Sequence, residues 1–140
     1  MTRAVLDANV FVSGIISAQG VPGRILDAWR ADQFHLVISY AILQEIERVL
    51  QYPKIARRHQ WSNDERRNFL AELTLFASLT PGDIRVQVIA ECPADDRYLE
   101  CALEGRADYV VSGDRHLLQL KTYQGISIIS PRLFLNILER

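Results

Sequence analysis

Apolar and polar positions along the chain follow two spacings in alternation. Residues 4–6 and 34–38 are short apolar runs of the kind that form buried parallel strands. Helical spacing follows each run, on a helix from about Pro22 to Arg30 and on another that begins after Ser39, a typical N-cap. The first part of the chain is therefore predicted to run strand, helix, strand, helix.

The rest of the chain continues this alternation. Ser62-Asn63-Asp64-Glu65 matches a capping box and opens a helix that ends before Thr80. Further strands are predicted at 84–89, 108–112 and 127–129, and further helices from Pro93 to about Glu104 and after Ser130-Pro131. This order predicts one α/β domain over residues 1–140, with a mainly parallel sheet covered by helices on both faces.

Composition agrees with a globular domain and narrows its setting. A chain of 140 residues, 49% hydrophobic and 24% charged, is long enough to bury a core. Its formal net charge of -1 gives no general attraction for nucleic acid, so a polyanion has to be bound locally. There is no signal-peptide pattern, and no apolar stretch reaches the roughly 18 residues of a membrane span. We expect a cytoplasmic protein that does not enter the membrane.

Two acidic residues directly follow predicted strands. Asp7 comes after the first strand, and Asp114 comes after the strand at 108–112. Ligands of open parallel sheets bind beyond the carboxyl ends of the strands, so both are candidates for a functional site. Taken singly, each is equally typical of a turn or a helix cap.

Other acids lie on the predicted helices. Glu45 and Glu47 border the two sides of one buried stripe, and the spacing does not choose between them. Asp95 and Asp96 open the helix after Pro93, where the helix dipole favours acids, and Glu100 follows Asp96 by one turn. That face suits a metal ion, but it equally suits an exposed helix edge.

Four stretches of the sequence resemble motifs of the PIN domain family, in the same order. Residues 4–14, AVLDANVFVSG, resemble the opening motif of that family, and Glu45 matches its second acid. Residues 95–99 and 107–114 resemble the stretches that carry its third and fourth acids. Asp96 stands 18 residues before Asp114, which is the spacing of the family, so Asp96 is preferred over Asp95. The chain is most similar to the toxin components of bacterial toxin–antitoxin pairs, the VapC-like toxins.

This resemblance implies a three-layer α/β/α fold and a ribonuclease that cleaves single-stranded RNA with Mg²⁺ or Mn²⁺. Asp7, Asp96 and Asp114 would hold the metal, and Glu45 would orient the attacking water. The supporting positions implied around them are Asn9, Asp95, Glu100, Ser112 and His116. A cognate antitoxin and a homodimer or higher homo-oligomer are the expected protein partners, with Trp29 and Phe134 as possible contacts between copies.

One position departs from the family pattern. Those relatives carry a further acid two places after the fourth, where this chain has His116. An imidazole ligand would favour Mn²⁺ over Mg²⁺, whereas an exposed histidine would leave the acid set short by one. The alternatives are therefore a PIN-like binding module that does not cut, or a phosphorelay receiver domain. A receiver would need an early acidic pair, which Ala8 breaks.

The densest basic segment of the chain is a candidate RNA surface. Its members are Arg57, Arg58, Trp61, Arg66 and Arg67. Arginines contact phosphates, and an aromatic ring among them can stack on a base. The alternative is a solvated connection between helices, in which Trp61 packs against the helix that follows.

Overall fold

The computed structural model describes all 140 residues and contains a six-stranded sheet of order β3-β2-β1-β4-β6-β5. The strands are β1 (Arg3–Leu6), β2 (His35–Ser39), β3 (Ser78–Thr80), β4 (Tyr109–Val111), β5 (Thr122–Tyr123) and β6 (Ile126–Ile129). Every neighbouring pair is parallel except β5 and β6. The prediction of a mainly parallel sheet is confirmed.

Eight α-helices connect and cover these strands. They are α1 (Ala8–Ile16), α2 (Val21–Arg30), α3 (Tyr40–Leu50), α4 (Pro53–His59), α5 (Asn63–Phe76), α6 (Asp96–Glu104), α7 (Arg115–Leu118) and α8 (Pro131–Leu138). Serine hydroxyls cap three of them, because Ser39, Ser62 and Ser130 each accept a backbone N–H of the first turn. The capping box predicted at Ser62 and Glu65 is present. No helix combines the length and the apolar character that crossing a bilayer requires.

The helices form layers around the sheet, as expected for a three-layer α/β/α fold. Helix α1 packs against α2 and α3, and α2 packs against α8, whereas α6 packs directly on β1, β2 and β4. Aromatic residues fill the core beneath α8, where the rings of Phe34 and Phe134 meet edge to face with centroids 5.0 Å apart. Phe134 and Trp29 are both buried in this core, so they are core residues and are not available to another copy, whereas self-association itself stays a prediction.

The strand predicted at 84–89 does not form. Residues 82–89 instead run as an irregular segment beside α6, which we call the α6 strap. Its backbone N–H groups donate to acidic side chains rather than to a neighbouring strand: Gly82 and Asp83 to Glu104, Val86 to Glu100, and Val88 and Ile89 to Asp96. Since those three acids are spaced by four residues, they lie on one face of α6 and replace the missing strand partner.

The entry into α6 also differs from the expectation. A 3-10 turn over Pro93–Asp95 precedes the helix, which begins at Asp96. Asp95 therefore lies in the turn and Asp96 in the helix, so the two neighbouring side chains leave the backbone in different directions.

Candidate metal centre

The order of the strands reverses between β1 and β4. The chain proceeds outward from β1 to β2 and β3 on one side, then crosses to β4 and proceeds to β6 on the other. In open α/β sheets, ligands bind at such a reversal, beyond the carboxyl ends of the strands. Leu6 pairs with Val111 at this edge, so the residues that follow them, Asp7 and Ser112, lie side by side.

Asp7 is held rigidly at the end of β1. Its side chain is buried, with 5% of the residue exposed. One carboxylate oxygen, Oδ1, accepts the backbone N–H of Asn9 at 3.0 Å and so caps α1. The other, Oδ2, accepts the hydroxyl of Ser112 at 2.7 Å. Asn9 thus supports Asp7 through its backbone, whereas Ser112 does so through its side chain.

Ser112 also connects Asp7 to Asp114. Its fully buried hydroxyl donates to Asp7 and accepts the backbone N–H of Asp114 at 2.9 Å. Asp114 caps α7, because its Oδ1 accepts the N–H groups of His116 at 2.8 Å and Leu117 at 3.3 Å. These bonds use only Oδ1, so Oδ2 is free for another ligand.

Asp95 lies within electrostatic range of these two carboxylates. Burial raises the pKa of Asp95, and the negative charges of Asp114 and Asp7 raise it further. Its Oδ2 is buried from solvent and has no hydrogen-bond partner. Asp96 is engaged by the α6 strap, because its Oδ1 accepts the N–H groups of Val88 at 3.2 Å and Ile89 at 2.9 Å. The preference for Asp96 over Asp95, drawn from its spacing to Asp114, stays a prediction, and the oxygen without a hydrogen-bond partner belongs to Asp95.

The chemistry of these groups suits a hard divalent cation. A buried carboxylate oxygen without a hydrogen-bond partner lowers the stability of the folded protein. Carboxylates near one another also repel unless a cation neutralises them. Oxygen donors are what Mg²⁺ and Mn²⁺ prefer, and these ions keep several water ligands. No three acidic, histidine or cysteine side chains already surround a point as a complete metal site. An ion that contacts some of these carboxylates directly and others through water would agree with the unpartnered oxygen and with the lack of a complete metal site.

Glu45 lies near this cluster, at the border of a polar groove. It is the better placed of the two glutamates, because its side chain is 19% exposed whereas Glu47 faces solvent. Oε2 pairs with the guanidinium of Arg97 at 3.2 Å and also with that of Arg48. The remaining oxygen, Oε1, is free of these ion pairs and can accept a proton or a water hydrogen.

Comparison with known proteins agrees with this arrangement. The profile of the PIN domain family matches residues 3–116. The chain belongs to the PIN domain family. An uncharacterized protein of Methanocaldococcus jannaschii, MJ1680, is 30% identical over 122 residues, which cover 85% of this chain and 75% of that protein. PIN domains are generally nucleases that use divalent metals, which agrees with acids gathered at the carboxyl edge of the sheet.

This PIN domain has a tyrosine at its centre that the sequence analysis did not identify. Tyr98 is buried, and its hydroxyl accepts the backbone N–H of Ala8 at 3.2 Å, directly after Asp7. Burial raises the pKa of Tyr98, and the charge of Asp7 raises it further. The signal was available in the sequence, since Tyr98 is the one large aromatic residue in the predicted helix from Pro93 to Glu104 and stands three residues after Asp95.

Glu100 and His116, which were predicted to support the PIN site, differ in their surroundings. The carboxylate of Glu100 accepts the N–H of Val86, so it holds the α6 strap and does not face Asp7. The backbone N–H of His116 donates to Asp114 at 2.8 Å, so His116 lies in the first turn of the helix that Asp114 caps. It stands at the place where the relatives carry a further acid.

The basic segment of this PIN domain is only partly available to a ligand. Trp61 packs on the ring of Phe69, with centroids 5.6 Å apart, and is partly buried. This packing agrees with the alternative in which Trp61 packs against the helix that follows it, rather than with stacking on a base. Arg66 and Arg67 bond to Asn63 and Asp64 within α5, whereas Arg57 and Arg58 of α4 are exposed and have no carboxylate partner.

Proposed function

We propose that this protein is a metal-dependent endoribonuclease of the PIN type, which hydrolyses phosphodiester bonds in RNA with Mg²⁺ or Mn²⁺. The observation that carries the proposal is the unpartnered, buried Oδ2 of Asp95, whose carboxylate lies within electrostatic range of Asp114 and Asp7. Asp7, Asp95 and Asp114 would hold the ion. When bound, it would supply charge neutralisation at the phosphate and a lower pKa for the attacking water.

The side chains around the ion site have distinct tasks in this reaction. The buried hydroxyl of Ser112 fixes Asp7 and the backbone of Asp114, so neither carboxylate has to reorganise as the reaction proceeds. Arg97 holds Glu45 with one oxygen free, and that oxygen takes the proton of the attacking water as general base. Tyr98 fixes the start of α1 and thereby the backbone that follows Asp7.

The exposed side of α4 supports contacts to the RNA backbone. Arg57 and Arg58 have no carboxylate partner, so phosphates are their natural counterions. Arg66 and Arg67 would add to this surface only by giving up their partners within α5. Together they extend the substrate surface beyond the metal centre.

Cleavage of a labelled single-stranded RNA in Mn²⁺ or Mg²⁺ tests the proposed activity. Asp7→Asn keeps the shape of the side chain but removes a metal-binding charge, so cleavage should be lost while the fold is kept. Asp27→Asn is the matched control, because Asp27 is an exposed acid on α2. If Asp7→Asn cuts at the parent's rate, Asp7 is only the cap of α1 and the proposal fails.

We further propose that the protein acts in the cytoplasm as the toxin of a toxin–antitoxin pair and forms homodimers or larger homo-oligomers. The support is the resemblance of its four motifs to VapC-like toxins. Expression of the parent should arrest growth of its host, whereas Asp7→Asn should not, and a neighbouring gene should relieve the arrest. Light scattering gives the mass in solution, and the mass of one chain at every concentration would remove the oligomer.

A PIN-fold module that binds RNA without cutting it is the second candidate. The observations that favour it are His116 in the place of an acid and the lack of three side chains arranged as a complete metal site. The two candidates separate in one assay. Retained RNA binding without cleavage in either metal ion would support the binding module.

A further inference from the structure

A polar groove of about 570 Å³ opens beside Glu45. One face of α3 forms one wall, one face of α6 with the turn before it forms another, and the α6 strap closes the third side. Arg48, Arg85 and Arg97 are its basic residues, and Tyr40 is the aromatic residue among those that line it. The groove thus combines cations and an aromatic ring with Glu45, the proposed general base of the reaction.

The acids of this groove are already engaged. Glu45 is paired with Arg97 and Arg48, while Glu100 and Glu104 accept backbone N–H groups of the α6 strap. Arg85 differs from the other two arginines, because it donates only to the carbonyl oxygens of Gly82 and Ile84. It has no carboxylate partner, so its positive charge is left for an anionic ligand.

Tyr40 is the ring that a ligand in this groove would meet. It is the first residue of α3 and is 66% exposed, although the next residue before it, Ser39, is buried at the end of β2. Tyr40 is therefore anchored by a rigid element while its ring is in solvent. Trp61, the aromatic residue of the basic segment, is instead packed on Phe69. An exposed ring and an unpaired arginine that line the same groove are a combination that can bind a nucleotide.

We infer that this groove binds an unpaired nucleotide of single-stranded RNA adjacent to the cleaved bond, with the base stacked on Tyr40 and a phosphate on Arg85. The inference rests on the proposed ribonuclease function and adds the two side chains that would hold the substrate, Tyr40 and Arg85. A base is free to stack on a side chain only when it is not stacked within a helix, which selects single strands over duplexes. With a net charge of -1, the protein depends on such local contacts.

Binding of a fluorescent single-stranded RNA, followed by anisotropy in EDTA, tests this groove without cleavage. Tyr40→Leu should weaken binding by roughly tenfold, and Tyr40→Phe should restore it, because stacking needs the ring but not the hydroxyl. Arg85→Ala should weaken binding and reduce the salt slope by about 0.7, as expected for one phosphate contact on a single strand. Arg132→Ala, an exposed arginine on α8, is the matched control and should change neither quantity.

The outcomes of this experiment separate the groove from the catalytic proposal. If Tyr40→Leu and Arg85→Ala bind RNA as tightly as the parent, the proposal that the groove binds RNA is overturned. This holds whether or not the parent cleaves RNA in Mn²⁺. Equal binding of a duplex RNA, with the same dependence on Tyr40, would overturn the selection of single strands. If the parent binds through Tyr40 but does not cut in metal ions, the groove stands and the nuclease proposal fails.

Discussion

Two groups of carboxylates meet at the start of α6, and their environments are opposite. The site cluster, Asp7, Asp95 and Asp114, lies at the carboxyl edge of β1 and β4 and includes a buried oxygen without a partner. The α6 ladder, Asp96, Glu100 and Glu104, lies along one face of the helix and accepts backbone N–H groups of the α6 strap. Asp95 and Asp96 are consecutive residues, yet they belong to different groups.

The difference teaches that a carboxylate's role follows from the donors that face it. Backbone N–H groups stabilise the charged form of the ladder acids, so these acids have no need of a cation. In the site cluster, Asp7 and Asp114 accept few hydrogen bonds, and Oδ2 of Asp95 accepts none. The negative charge of these carboxylates is therefore left for a cation to neutralise. The ladder is structural, whereas the cluster is suited to bind metal.

The largest expected effect is on catalysis. Asp95→Asn should reduce RNA cleavage by about two to three orders of magnitude, as when a group that stabilises transition-state charge is removed. Asp96→Asn should retain much more activity, because its carboxylate faces the α6 strap. Rates measured in excess Mn²⁺ on both variants check this, and equal losses would remove the distinction between the two acids.

The second effect is on stability, and it should fall on the other acid. Asp96→Ala leaves the N–H groups of Val88 and Ile89 without their acceptor, at a cost of about 2–4 kcal/mol in the free energy of unfolding. Urea denaturation measures this cost. Asp83→Ala is the control, since Asp83 contributes its backbone N–H, not its carboxylate, to the ladder. A cost below that of the control would show that the strap is held by other contacts.

The smallest effect is a pH dependence of the metal-free protein. Because the pKa of Asp95 is raised in the fold, the folded state binds its proton more tightly than the unfolded chain does. Stability should therefore increase as the pH falls through the folded pKa of Asp95, down to its unfolded value of about 3.9. Asp95→Asn should remove this increase. Thermal denaturation in EDTA over that pH range measures the effect. The same pH profile in the parent and in the variant would contradict the raised pKa of Asp95.

The sequence predicted well those features that depend on local pattern. The apolar run before Asp7, the cap at Ser39 and the capping box at Ser62 each specify an element through neighbouring residues, and each is present. The order of these elements was enough to indicate the mainly parallel sheet. Their spacing also placed Asp7 and Asp114 at strand ends that meet.

Features that depend on distant partners were not predictable in this way. Alternation at residues 84–89 indicates an extended chain, but a strand also needs a neighbouring strand, and the α6 ladder provides acceptors instead. The choice between Asp95 and Asp96 depends on that same strap and on the 3-10 turn before α6. Apolar faces at Trp29 and Phe134 indicate burial, but not whether the core or another copy covers them.

The central claim is that the site cluster holds a divalent metal through Asp95. Calorimetric titration of Mn²⁺ into the metal-free parent, Asp95→Asn and Asp96→Asn tests it without RNA. The parent should bind, Asp95→Asn should lose most of the affinity because a buried anionic ligand is removed, and Asp96→Asn should bind nearly as the parent does. Parent-like affinity in Asp95→Asn, or loss of binding in a folded Asp96→Asn, would contradict the account.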